Sequence, residues 1–198
     1  MKPEKTNSIR MKIAVYPGSF NPLHIGHKAI IRYLTADMDF DNVYLIVSPK
    51  NPLKDNISAE SARDRFEAAC KAVSRSGLKV KADDIELGMP APQYTIRTLD
   101  ALKEREPDND FTLVIGADNL ANICRWKDYE RILSEYGVVV FPRKGTDCRP
   151  VKENIEKRFR ENGMVCRIAI ADAPMVDISS TEIREGIGKG ADMSGFLM

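Results

Sequence analysis

The chain has 198 residues, with 30 Lys plus Arg against 29 Asp plus Glu, and so a formal net charge of +1. That balance carries no long-range attraction to nucleic acid or to an anionic membrane surface. A composition that is 43% hydrophobic and 30% charged belongs to a folded globular chain, long enough for one domain with a sizeable core.

Residues 1–11 are polar and read as a flexible tail, without the apolar run of a secretory signal. A first strand is predicted over 12–16, ending at the Pro17-Gly18 turn signal. A helix follows from Gly26 to about Ala36, with Ala29, Ile30, Tyr33 and Leu34 inward. The second strand covers 42–47. Residues 50–58 lack any period and read as a loop. A long helix spans about 59–74, with Phe66, Ala69, Cys70 and Val73 inward, and Gly77 terminates it. One or two strands fall within 78–87, with 78–80 the clearer. A proline-rich stretch leads to a helix over 95–103. The strongest strand is 111–115. Residues 126–134 read as helix, 138–141 as a buried strand, 155–160 as helix and 167–170 as the last strand. A short helix starts at Ser180.

Strands alternating with helices predict an α/β fold with a mostly parallel sheet covered on both faces, and strands that are apolar throughout fit that burial. No composition shift or repeat divides the chain, so residues 12–198 are expected to form a single domain. Cys70, Cys124, Cys148 and Cys166 form no CxxC pair, and His24 and His27 are the only histidines. A zinc site is not expected, and the thiols read as core residues in a reducing compartment. No stretch approaches the ~20 apolar residues that span a bilayer, and a cytoplasmic protein is expected.

Both histidines fall in Gly18-Ser19-Phe20-Asn21-Pro22-Leu23-His24-Ile25-Gly26-His27, where the first strand turns into the first helix. Residues three apart on a first helical turn face one side. Parallel sheets bind ligands at the carboxyl ends of their strands, and a helix N-terminus favours phosphate. Taken singly, either histidine is as readily a structural residue. A second cluster, Ile178-Ser179-Ser180-Thr181-Glu182-Ile183-Arg184, follows the last strand. Ser179, Ser180 or Thr181 caps the helix there, and Glu182 or Glu185 completes the cap. Its hydroxyls and Arg184 also suit a phosphate, although a plain capped helix has the same spacing.

The first string resembles the GxFxPxHxGH form of the nicotinate mononucleotide adenylyltransferases, within the HxGH nucleotidylyltransferase superfamily. The second is similar to their ISSTxxR signature. Gln93-Tyr94-Thr95-Ile96-Arg97-Thr98-Leu99 resembles the family's Ser-Tyr-Thr-x-x-Thr-Leu segment, with Gln93 in place of Ser. Gly116-Ala117-Asp118, Trp126 and the Pro142-Arg143 pair match further segments. Lys50-Asn51-Pro52-Leu53-Lys54 matches the Pro-Pro-x-Lys region less closely, with Asn51 and Leu53 as departures. The likeness runs from about Lys12 to Gly190, and relatives carry another helix beyond the point where this chain stops.

The resemblance implies a Rossmann-like nucleotidylyltransferase fold. It also implies transfer of AMP from ATP to nicotinate mononucleotide, by direct in-line attack of the mononucleotide phosphate. His24, His27 and Arg184 would be catalytic. Gly18, Ser19, Phe20, Gly26, Gly116, Asp118, Ile178, Ser179, Ser180 and Thr181 would join them around ATP. Asn21, Lys54, Tyr94, Thr95, Trp126 and Arg143 would hold the mononucleotide. Mg2+ would ride on the ATP phosphates and water near Asp118, without a protein cage. Neither nucleic acid nor membrane is an expected partner, and a monomer or weak homo-oligomer is expected. Phosphopantetheine adenylyltransferase is the alternative enzyme, and a non-catalytic nucleotide-binding module the alternative class.

Overall fold

A computed structural model of the chain describes residues 10–49, 61–143, 145–173 and 178–198. Six strands form one sheet: β1 (Lys12–Gly18), β2 (Asn42–Val47), β3 (Val80–Asp83), β4 (Asp110–Gly116), β5 (Val138–Phe141) and β6 (Ile168–Ile170). Their order is β3-β2-β1-β4-β5-β6 and every pairing is parallel. This is the doubly wound order of a Rossmann-like fold, whose crevice opens where the winding reverses, between β1 and β4.

Alternation along the strands builds two cores. Ile13 and Val15 of β1, Tyr44 and Ile46 of β2, Leu113 and Ile115 of β4, and Val138 and Val140 of β5 face one side. Ala14, Val43, Leu45, Val47, Val114, Val139 and Phe141 face the other. Both faces are covered, so successive residues are apolar although each face has a period of two.

The helices are α1 (Ile25–Ala36), α2 (Ala62–Ser76), α3 (Thr95–Arg105), α4 (Ala117–Asn122), α5 (Tyr129–Arg131), α6 (Arg149–Glu161) and α7 (Ser180–Gly188). Helices α1 and α2 bring Ile31, Leu34 and Ala69 to the second core, and α3, α4 and α6 bring Leu99, Leu102, Leu120, Ile155 and Phe159 to the first.

Several expectations shift. The third strand is Val80–Asp83, followed by a 3-10 turn at Ile85–Gly88, because Leu78 closes the bend after Gly77 instead of pairing. In α1 Leu34 is fully buried as expected, together with Ile31, while Ala29 is only partly buried, and in α2 Arg65 is buried beside Ala69. Residues 126–134 do not form one helix: Trp126 is extended, α5 is one turn, and Ile132–Tyr136 widens into a π turn before Gly137. Cys124 is exposed instead of core, and all four thiols are free. Residues 1–9 of the expected tail and residues 50–60 lie outside the described residues. Arg10 and Met11 are tied down, Arg10 to Asp110 at 2.6 Å and the Met11 N–H to Asn109 Oδ1 at 3.2 Å. Among the described residues no helix is long and apolar enough to cross a membrane.

Candidate active site

The turn leaving β1 is shaped by close packing. Phe20 takes a positive φ of 45° and buries its ring, which meets Tyr16 and His27 edge-on at centroid distances of 5.5 and 5.3 Å. A Cβ on Gly18 would lie 2.9 Å from Phe20 Cζ, so only glycine lets that ring fold back over the strand end.

Helix α1 is capped by a histidine. His24 Nδ1 accepts the Gly26 N–H at 3.1 Å, and His27 Nδ1 accepts the His24 N–H at 3.2 Å. The two rings lie against each other with centroids 3.8 Å apart. A Cβ at Gly26 would sit 2.9 Å from His24 Cε1 and Nδ1 and displace that ring. Burial, opposed by Glu182, pushes the His24 imidazole down to about 4. Burial, then the charges of His24 and Arg143, pushes His27 down to about 3. Both rings are therefore neutral at pH 7. With each Nδ1 accepting a backbone N–H, the remaining ring proton of each sits on Nε2. The HxGH turn is thus a rigid pair of neutral Nε2–H donors.

Helix α7 docks on this turn. Arg184 donates to the Asn21 carbonyl at 2.5 Å and to Thr181 Oγ1 at 3.2 Å, and Ser180 Oγ donates to the Pro22 carbonyl at 3.1 Å. Ser179 is the cap: its Oγ accepts the Glu182 N–H at 3.2 Å, and the Glu182 carboxylate accepts the Ser179 N–H at 2.8 Å. The capping reading of this segment holds, with Ser179 and Glu182 as the pair, so the Ser179 hydroxyl is engaged within the chain. Ile178 lies beside Gly26. Residues more than 150 positions apart thus form one wall.

The opposite wall is the end of β4. Gly116 precedes α4, and a Cβ there would lie 2.5 Å from Asp118 Oδ1 and 3.2 Å from Arg143 Nε. Asp118 sits in the first turn of α4 and pairs with Arg143 at 3.4 Å, both largely exposed. It makes no side-chain cap, which removes the capping role that competed with ligand binding. Beyond Arg143 a groove of about 570 Å3 continues past Thr146, Cys148 and Asp172.

Helix α3 starts at Thr95 after the extended, exposed Tyr94, with no side chain capping it. Trp126 is half-buried against the first core. Lys54 lies outside the described residues. Among the described residues no three His, Cys, Asp or Glu side chains converge to hold a metal ion.

Arg65 and Glu86 escaped the sequence reading, and Thr98 entered it only as part of the segment 93–99. All three are buried. Local spacing gives only their burial: Arg65 lies four before Ala69 on the inward face of α2, and Glu86 sits between Ile85 and Leu87, while their polar partners lie on other elements.

The strand order and the two docked segments define a Rossmann-like α/β protein with a crevice at the carboxyl ends of its strands. A cytidylyltransferase-like family model matches residues 15–186, and the chain belongs to that family. It is 36% identical over 187 residues to a probable nicotinate-nucleotide adenylyltransferase of Flavobacterium johnsoniae, covering 94% of this chain and 92% of that protein. A namesake from Flavobacterium psychrophilum is 39% identical over 177 residues, covering 89% and 86%. Among solved structures, the nicotinic acid mononucleotide adenylyltransferase of Plasmodium falciparum complexed with NaAD shares the fold, with a TM-score of 0.72 at 19% identity, covering 93% of this chain and 88% of that one.

Proposed function

We propose that this chain transfers AMP from ATP to nicotinate mononucleotide, giving nicotinate adenine dinucleotide and pyrophosphate. The observation that carries the reading is the docking of Arg184 and Ser180 on the Asn21 and Pro22 carbonyls. It joins both phosphate-seeking segments in one crevice, beside neutral Nε2–H donors. The relatives named for this activity support the choice of acceptor.

The acceptor phosphate is already an anionic oxygen nucleophile. It attacks the α-phosphorus of ATP in line, a new P–O bond forms, and the bond to the pyrophosphate oxygen breaks. Such a step needs positioning and charge stabilisation more than a general base. His24 and His27 donate from Nε2 to the phosphate oxygens where charge grows as pyrophosphate leaves. Gly18, Ser19, Phe20 and Gly26 form the close backbone turn around ATP. Ile178, Ser180, Thr181 and Arg184 close its other side, with Arg184 adding fixed positive charge. Ser179 contributes by capping α7. Gly116 lets the chain approach the nucleotide, and Asp118 orients ribose.

Asn21, Tyr94, Thr95 and Trp126 hold the mononucleotide, with Lys54 and Arg143 on its phosphate. The uncapped start of α3 suits an anionic group. Mg2+ bound to the ATP phosphates would supply charge neutralisation, and Asp118 would hold its water shell. Residues 12–198 act as one domain, and ATP as substrate with four free thiols suits the cytoplasm.

Parallel kinetics with nicotinate mononucleotide, nicotinamide mononucleotide and phosphopantetheine test the proposal. The highest kcat/KM is expected for the nicotinate compound. Preferred turnover of phosphopantetheine would overturn it, as would failure to release pyrophosphate with any of the three.

A further inference from the structure

Arg65 is the largest side chain wholly enclosed by the described fold, at 1% exposure. A guanidinium does not give up its charge, so burying one demands acceptors held in place. Arg65 reaches from α2 to three backbone carbonyls: Ser19 at 2.7 Å, Ser48 at 2.9 Å and Pro49 at 3.1 Å. Ser19 belongs to the turn after β1, and Ser48 and Pro49 follow β2. The two strand ends are also joined by the Ser48 N–H to the Gly18 carbonyl at 3.0 Å.

The polar chain continues inward. Ser48 and Thr98 both favour the Glu86 carboxylate against the burial that raises it, and Thr98 Oγ1 donates to Glu86 Oε1 at 2.8 Å. Glu86 and Thr98 are 5% and 2% exposed. Thr98 lies on α3, one turn after Thr95. A network buried this deeply is costly unless every member is satisfied, and once satisfied it rigidifies what it joins.

We propose that Arg65 is a positioning residue for the adenylyl transfer: its guanidinium clamps the ATP-side turn at Ser19 to the end of β2, and Ser48, Glu86 and Thr98 carry that clamp to the helix facing the acceptor. The two substrates enter from different elements and must meet in line, where small misplacements are costly in rate. The clamp sets the register between those elements without touching either substrate. This inference rests on the proposed reaction.

Arg65→Lys keeps the charge but replaces a planar fork by a single flexible ammonium, which cannot hold three carbonyls in one arrangement. In steady-state assays at a temperature where circular dichroism shows a native fold, kcat is expected to fall about tenfold or more with the KM for ATP changed less than about threefold. Thr98→Val is expected to raise the KM for the mononucleotide and Thr98→Ser to restore it, a rescue that serves as the test if Arg65→Lys does not fold. Combined with Arg65→Lys, Thr98→Val should cost less than the product of the two single losses, as members of one network do. A folded Arg65→Lys variant with kcat within about twofold of the parent would overturn the inference. A kcat loss that merely tracks the unfolded fraction, or Thr98→Ser no better than Thr98→Val, would overturn it too. An inactive parent would instead remove the proposed reaction itself.

Discussion

Helices α1 and α7 meet the crevice closed, and α3 meets it open. The first two carry complete capping boxes, His24 with His27 and Ser179 with Glu182, while α3 has no capping side chain. The chain's own polar groups finish the walls at α1 and α7, the proposed ATP side, and leave the outer edge of side chains already held: two imidazoles and a guanidinium. The start of α3, on the proposed acceptor side, keeps its backbone donors uncapped, and Trp126 is half-buried against the first core. That contrast suits the proposed transfer, in which charge develops on the leaving pyrophosphate and fixed donors there serve it best.

The largest effect should come from breaking the closed side. His27→Ala is expected to lower kcat by about 10²–10³-fold, with a smaller rise in the KM for ATP, because its donor matters most as charge develops. Steady-state kinetics on folded protein check this, and unchanged turnover would remove His27 from the transition state. Arg184→Ala strips the Asn21 carbonyl of its partner and the crevice of a fixed charge. A loss of about 10–100-fold in kcat/KM for ATP is expected from one charge-assisted contact, read in the same assay.

On the open side the effect should be smaller and confined to one substrate. Trp126→Ala is expected to raise the KM for the mononucleotide about tenfold, the scale of one aromatic contact, with that for ATP within about twofold. Equal losses for both would mean that Trp126 serves folding through its contact with the first core.

The smallest effect sharpens the same contrast through pH. The folded values of His24 and His27, about 4 and about 3, lie below the ordinary 6.5. As pH falls, the unfolded chain binds protons first, so the stability these neutral rings contribute is complete above about 6.5 and is lost as pH drops toward those folded values. Urea titrations across that window should show it. His27→Gln should flatten the decline by up to about 1.4 kcal/mol per pH unit, since one titrating group then drops out. A slope that does not change would mean that His27 takes up its proton at the same pH in the folded and unfolded chain.

How much was readable in advance varied with the range of the interaction. Strand 42–47 and strand 138–141 were bounded correctly from apolar runs, because burial on two faces leaves a continuous signature. The strand after Gly77 was misplaced toward Leu78, because all that distinguishes it from Val80 is which residue pairs with β2 at Val43. The helix over 126–134 failed where Gly137 and the packing of Ile132 and Leu133 favour a π turn over regular winding. In the site, His24, His27 and the Ser179–Glu182 cap were legible from local spacing. Arg65 was not, since its acceptors lie on two other elements, 46 and 17 positions away.

Sequence alone determined the alternating elements, the apolar strands and two helix-start segments at opposite ends of the chain, since each depends on residues within a turn or two of one another. Only the tertiary structure decided that those segments share a wall, that burial lowers both imidazoles while each Nδ1 accepts a backbone N–H, and that a buried arginine joins two strand ends. Desolvation and backbone hydrogen bonds between distant elements exist only once the sheet has closed, and no local pattern encodes them.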